Sequence, residues 1–157
     1  MNRTFENCTL LDTKTWFEKA VPNPTAQNFT TQLGVHYEEV CESLEELTPN
    51  DLRTTNLINE ASEALSALAD HLKANAGCVV VLPDDQVMFL DALCDQIVTA
   101  TGTGHMLGMD MVGAMVAVNV SNFSKFVDGN PIFNENMKVM KGPDYAKPVL
   151  SPYLPRL

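Results

Sequence analysis

Five glutamates crowd the segment GVHYEEVCESLEEL at residues 34–47, with no Lys or Arg among them. At 100° per residue, Glu38, Glu39, Glu42, Glu45 and Glu46 fall within an arc of about 120° on a helix. Leu33, Tyr37, Val40, Leu44 and Leu47 line the other side. Like charges one turn apart repel by roughly a few tenths of a kcal/mol per pair, so the row is costly unless a cation offsets it. Carboxylate oxygens in this number suit Mg²⁺ or Mn²⁺. A solvated acidic helix face is the plain alternative.

A second acidic pair stands in QVMFLDALCDQIV, residues 86–98, where Asp91 and Asp95 are the only charges and lie one turn apart. Asp is a poor helix-interior residue, and its placement amid Val, Met, Phe, Leu and Ile predicts burial or near-burial. Buried carboxylates need partners, yet Lys73 is the sole basic residue between Arg53 and Lys125. A divalent ion would supply the missing charge; a helix N-terminus or a distant Lys folded back onto the site is the alternative. The expected chemistry is two helices whose carboxylates converge on two or three such ions per site.

The elements that must position these acids read as helices. Residues 12–20 predict a short first helix, broken by Pro22 and Pro24. A second runs from about Thr25 to Leu47. Asn50 or Asp51 caps a third, reaching about Asn75 and stopped by Gly77. Pro83-Asp84-Asp85 opens a fourth, expected to end near Gly102-Thr103-Gly104. A fifth spans about Asp110 to Phe126, its Gly and Ala suggesting close packing. The one strand candidate, CVVVLP at 78–83, is short enough to be a connector. The fold class is therefore all-α: a bundle of about four to five helices in a single domain over 1–157, with an N-terminal segment at 1–24 and an irregular basic tail at 127–157.

Composition sets outer bounds. The chain has 157 residues, 45% hydrophobic and 19% charged, with a net charge of −10. That is globular and repels nucleic acid and anionic membranes on average. From Lys125 onward five basic residues (Lys125, Lys138, Lys141, Lys147 and Arg156) face three acids, whereas the rest holds five against seventeen. A body that holds cations and a tail that holds an anion such as phosphate is the sharper reading. No apolar run approaches the roughly 20 residues of a membrane span, and a secretory leader pattern is lacking; a soluble, cytoplasmic protein is expected. Cys8, Cys41, Cys78 and Cys94 form no CxxC pair and are expected to be reduced, with Cys41 and Cys94 buried. His36, His71 and His105 do not follow a Glu by three residues, and neither a Walker A loop, a dinucleotide fingerprint, an EF-hand nor HExxH occurs.

A Glu-Glu-x-x-Glu helix followed by an acidic pair on another helix resembles the MazG-like all-α NTP pyrophosphohydrolase superfamily. The blocks QLGVHYEEVCESLEEL, LDALCDQIVTATGTGHMLGMD and SNFSKFVDGNPIFNENMKVMKGPDYAKPVL look like successive blocks of its phage-type members, including those of the MazZ kind. The resemblance implies hydrolysis of a nucleoside triphosphate to the monophosphate and pyrophosphate, in the host cytoplasm if the source is viral. It implies that Glu38, Glu39, Glu42, Asp91 and Asp95 hold metal, and that Asn122, Lys125, Lys138 and Lys141 hold phosphate. The family's second motif is commonly Glu-x-x-Asp, whereas Met88 and Ala92 precede the two aspartates by three. Met137 stands where the family often has Gly.

The expected mechanism is that metal-held carboxylates invert the local field, polarise phosphoryl oxygens and lower the pKa of a bound water. Glu39 or Glu42 accepts the water's proton, and the lysines neutralise phosphate charge. Trp16, Phe29 and Asn28, with Phe17 and Tyr37 behind them, are the candidates for base recognition, though such aromatics are more often core. Nothing in these residues selects a base; dGTP leads by resemblance, with a dUTP- or dCTP-directed enzyme as the alternative. A non-enzymatic acidic helical protein that binds a basic partner is the reading from another class. MVGAMVAVNV could bury against another subunit, and the resemblance suggests a homodimer or a dimer of dimers.

Overall fold

The computed structural model describes residues 9–155; Cys8, Arg156 and the start of the 1–24 segment lie outside the described residues. Five helices follow one another: α1 Thr9–Ala20, α2 Ala26–Glu45, α3 Leu52–Ala74, α4 Gln86–Met106 and α5 Met111–Phe123. Single 3₁₀ turns at Pro83–Asp85 and Ser151–Tyr153 precede α4 and close the described tail. The all-α expectation holds. Among the described residues there is no strand, only an isolated bridge between Val127 and Asn130, and CVVVLP is a connector.

The caps follow local chemistry. Thr25 and Asn28 form a reciprocal box at the start of α2: the Asn28 amide donates to Thr25 Oγ1 at 3.2 Å, and the Thr25 amide to Asn28 Oδ1 at 3.0 Å. Asp51 caps α3 by accepting from the Thr54 amide at 2.9 Å, and Asp110 caps α5 by accepting from the Gly113 amide at 2.9 Å. One boundary differs from expectation. Helix α4 runs through Gly102-Thr103-Gly104 to Met106, because neither glycine takes a positive φ and a glycine that stays helical costs only about 1 kcal/mol. The terminator is Gly108, whose φ of +71° only glycine adopts without steric cost.

The chain divides into two compact units. The first comprises the chain up to Pro22, Val81–Ile132, and the chain from Val139 onward; the second comprises Asn23–Val80 and Phe133–Lys138. In the first unit α1 packs on α5. Asn119, 1% exposed, donates to the Thr9 carbonyl at 2.8 Å and accepts from Thr13 Oγ1 at 2.9 Å. Trp16 stacks on Phe126 with centroids 5.6 Å apart and donates its indole N–H to the Asn122 carbonyl at 2.8 Å. Ala20, Val21, Phe123 and Val139 complete this cluster. By contrast α4 is nearly bare: Val87, Met88, Leu90, Ile97, Val98 and Met106 are each more than half exposed. No single described helix is long and apolar enough to cross a membrane.

The second unit is built on the α2–α3 hairpin. Thr30, Thr31, Gly34 and Cys41 of α2 and Ala69 and Leu72 of α3 are buried. A Cβ at Gly34 would stand 2.7 Å from the Ala69 carbonyl oxygen and 2.8 Å from Lys73 Cγ. The missing side chain thus sets how closely the helices approach. Gly34→Ala is expected to destabilise the hairpin by about 1–3 kcal/mol, since a backbone carbonyl cannot step aside, and the loss outweighs the gain in helix propensity. A urea midpoint that stays or rises in the alanine variant would show that the helices have room to separate.

Candidate functional site

One turn beyond Gly34, Glu38 lies between two ammonium groups in the second unit. Lys73 of α3 donates to Glu38 Oε1 at 3.1 Å, and Lys138, from the 133–138 segment, donates to Oε2 at 3.1 Å. Lys73 also pairs with Asp70 at 3.0 Å. The Lys73 side chain is only 18% exposed, against 49% for Lys138 and 32% for Glu38. Beside them opens a cavity of about 290 Å³ lined by Thr31, Asp70, Lys73, Ala74, Asn134, Asn136 and Lys138. Apart from Ala74 the lining is polar, with two cationic residues, Lys73 and Lys138, and one anionic, Asp70. Such a surface suits a polar ligand better than an apolar one.

The loop that delivers Lys138 is a tight turn. Asn134 Oδ1 accepts from the amides of Asn136 at 3.1 Å and Lys138 at 2.9 Å, and the Asn134 amide donates to the Lys138 carbonyl at 3.0 Å. The Asn136 carbonyl accepts from Thr31 Oγ1 at 2.9 Å, which ties the turn to α2. Met137 has a φ of +60°. This is the left-handed region where a side chain costs roughly 1–2 kcal/mol and glycine little.

Partial burial pushes the Glu38 carboxyl up, but the hydrogen bonds and charges of Lys138 and Lys73 prevail and hold it below its ordinary 4.5. Partial burial pulls Lys73 down, and its bonds to Asp70 and Glu38 outweigh that, raising it above 10.5. At neutral pH both groups are charged, Glu38 held so chiefly by Lys138 with Lys73, and Lys73 by Asp70 with Glu38.

The remaining candidates fall in separate places. Glu39, Glu42 and Glu45 of α2 and Glu46 at its C-cap are exposed. Asp91 and Asp95 belong to α4 in the first unit and are exposed too. Their expected burial is not what the chain adopts, because the apolar neighbours assumed to enclose them are themselves uncovered on α4. Cys94, on the same helix, is exposed for the same reason, whereas Cys41 is buried; Cys41, Cys78 and Cys94 are free thiols. Asn122 and Lys125 come together, Nζ donating to Oδ1 at 2.7 Å, with the ammonium 5.8 Å from the Trp16 ring centroid. Lys141 lies over the Tyr145 ring at 5.0 Å. Of the base candidates, Trp16 packs in the aromatic cluster, Asn28 spends its side chain on the α2 cap, and Phe29 is half-buried. Sequence reasoning assigned no role to Lys73, Thr31, Asn134 or Asn136. For Lys73 the available signal was its isolation as the sole basic residue between Arg53 and Lys125.

The α2 row offers hard oxygen donors, with Glu38 and Glu42 at i,i+4 and Glu39 and Glu42 at i,i+3. Among the described residues no three His, Cys, Asp or Glu side chains gather into a metal cage. Mg²⁺ commonly takes only one or two carboxylates, and fills its octahedron with water and substrate phosphates. The donor chemistry of the α2 turn fits an ion of that kind.

The signs of the two shifts define a pH window. A depressed Glu38 stabilises the hairpin above about pH 4.5 and ceases to do so as pH falls through its lowered pKa. A raised Lys73 stabilises below about 10.5 and ceases to do so as pH climbs through its higher value. Urea midpoints are expected to be flat between those limits and to fall on both sides, with a shallower acid limb in Glu38→Gln. An unchanged acid limb would mean that the clamp contributes nothing.

Compared with protein-family models, with curated proteins and with solved structures, the chain matches none.

Proposed function

We propose that the chain hydrolyses a (deoxy)nucleoside triphosphate to the monophosphate and pyrophosphate, with Mg²⁺ or Mn²⁺ as cofactor and dGTP as the first substrate to test. The observation that carries this reading is Glu38, a member of the acidic α2 turn, sitting between Lys73 and Lys138 beside a polar cavity. Carboxylates for a cation and ammonium groups for phosphate oxygens occur there side by side, as phosphoryl transfer requires.

Roles follow from chemistry. Glu38, Glu39 and Glu42 would hold the cation, with Asp91 and Asp95 as the second acidic pair. When bound, the ion would polarise phosphoryl oxygens and acidify a water. Glu39 or Glu42, exposed and one turn apart, takes up the water's proton. Lys138 neutralises phosphate charge in the second unit; Asn122, Lys125 and Lys141 belong to the first unit.

A non-enzymatic reading, an acidic surface for a basic partner, is favoured by one observation: Asp91 and Asp95 are exposed, as such a surface needs. Pyrophosphate release from dGTP, dUTP, dCTP and the other dNTPs with Mg²⁺ or Mn²⁺ separates the readings. Turnover of one or more is expected, falling at least about 100-fold in Glu42→Gln and in Asp95→Asn while circular dichroism keeps its helical signal. Absence of release from every dNTP would favour the acidic surface.

The uncovered apolar side chains of α4, together with exposed Val112 and Val120 on α5, point to a second copy of this chain as their cover. A homodimer or dimer of dimers is expected in sedimentation equilibrium, with Leu90→Glu shifting it towards the monomer. A wild-type monomer at micromolar concentration would remove this part of the reading.

A further inference from the structure

We propose that Glu38 is a resident counter-anion occupying the seat of a phosphate group, and that Lys73 is the less exposed of the two ammonium groups of that seat. The inference deepens the hydrolase reading, on which it rests for the choice of a phosphate ligand, and adds a residue to which that reading gives no role. Each Glu38 oxygen takes one ammonium, Oε1 from Lys73 and Oε2 from Lys138, both at 3.1 Å. Two cations on two oxygens of one carboxylate is the arrangement that would equally grip two oxygens of a phosphate.

The surroundings favour exchange over a permanent structural pair. A purely structural clamp needs no cavity, yet both lysines line one, together with Asn134 and Asn136, whose side-chain amides carry hydrogen-bond donors. Lys73 is held deep in the site while Lys138 and Glu38 are more exposed. A fixed inner cation and a withdrawable carboxylate are the parts an exchange requires. Asp70 is 75% exposed and remains as a partial counter-charge. A cation that draws Glu38 aside would open the seat, so cation and phosphate would bind cooperatively.

The experiment is metal-free equilibrium binding of inorganic pyrophosphate, measured by calorimetry in the presence of a chelator. Glu38→Gln removes the resident charge from between two lysines that line the cavity, and leaves Lys73 paired only with Asp70. Its affinity is expected to exceed wild type by about tenfold or more, the size of effect that one nearby like charge produces. Glu45→Gln removes the same net charge elsewhere on α2 and is expected to change affinity less than about twofold. Lys73→Gln in the Glu38→Gln background is expected to abolish the gain. Equal affinity of Glu38→Gln and wild type, or a gain that survives loss of Lys73, would overturn the proposal. Should Glu38→Gln fail to fold by circular dichroism, the unmodified chain decides. Saturating pyrophosphate must then shift the Glu38 carboxylate carbon resonance, and an unmoved resonance overturns the proposal. Because no turnover is measured, an inactive chain with the expected binding pattern would reject the hydrolase and keep the seat. An active chain without the pattern would do the reverse.

Discussion

The absence of a side chain at Gly34 is the constraint on which the second unit depends. It lets the Ala69 carbonyl and the stem of Lys73 occupy the space where a Cβ would be. Helices α2 and α3 then lie close enough that, one turn along, Lys73 reaches Glu38. Lysine is rarely this enclosed without a partner, and here the partner is held in reach by backbone packing. A half-exposed ion pair is worth only about 0–1 kcal/mol in net stability. Its interest lies in position, because the same contact joins a row of carboxylates to a polar cavity.

Net charge and local charge point in opposite directions. The chain carries −10 overall, and the exposed glutamates of α2 would repel an anion at a distance. At the cavity, two ammonium groups lie within hydrogen-bonding range of one carboxylate. Local geometry governs at that range, since screening removes much of the far field within about 8–10 Å at ordinary salt. The turn holding Lys138 is secured by Asn134 and by Thr31, at the cost of a left-handed methionine. Strain of this sort is retained when the surroundings over-determine it, and here the asparagine and threonine bonds do so.

The first unit is organised differently. Its fixed point is a polar link and an aromatic stack: Asn119 ties α1 to α5 through Thr9 and Thr13, and Trp16 lies against Phe126. The Trp16 N–H finds the Asn122 carbonyl while Lys125 donates to the Asn122 side chain. The spacing that suggested phosphate chemistry at Asn122 and Lys125 is thus also part of a packed corner. Helix α4 obtains no comparable cover within this chain, and its aspartates share that exposure.

Local chemistry was readable in advance where it acts over a few residues. Five helices, a cap for α3 at Asn50 or Asp51, the Gly77 stop and the irregular tail follow from periodicity, capping and turn residues, all short-range effects. Helix α4 ends beyond Gly104 because Gly102 and Gly104 stay helical and the left-handed turn that stops the helix falls at Gly108. The acidic row of α2 was visible as a row, and Lys138 as part of a basic tail. That Lys73 meets Lys138 across Glu38 was not, since residues 38, 73 and 138 are joined by packing and by no sequence period. Burial of Asp91 and Asp95 was inferred from their neighbours' character, yet burial is decided by what packs on a helix. Sequence alone determined the helices and the supply of charges; tertiary structure decided which charges meet, because pairing depends on distances that Gly34 and the Asn134 turn create.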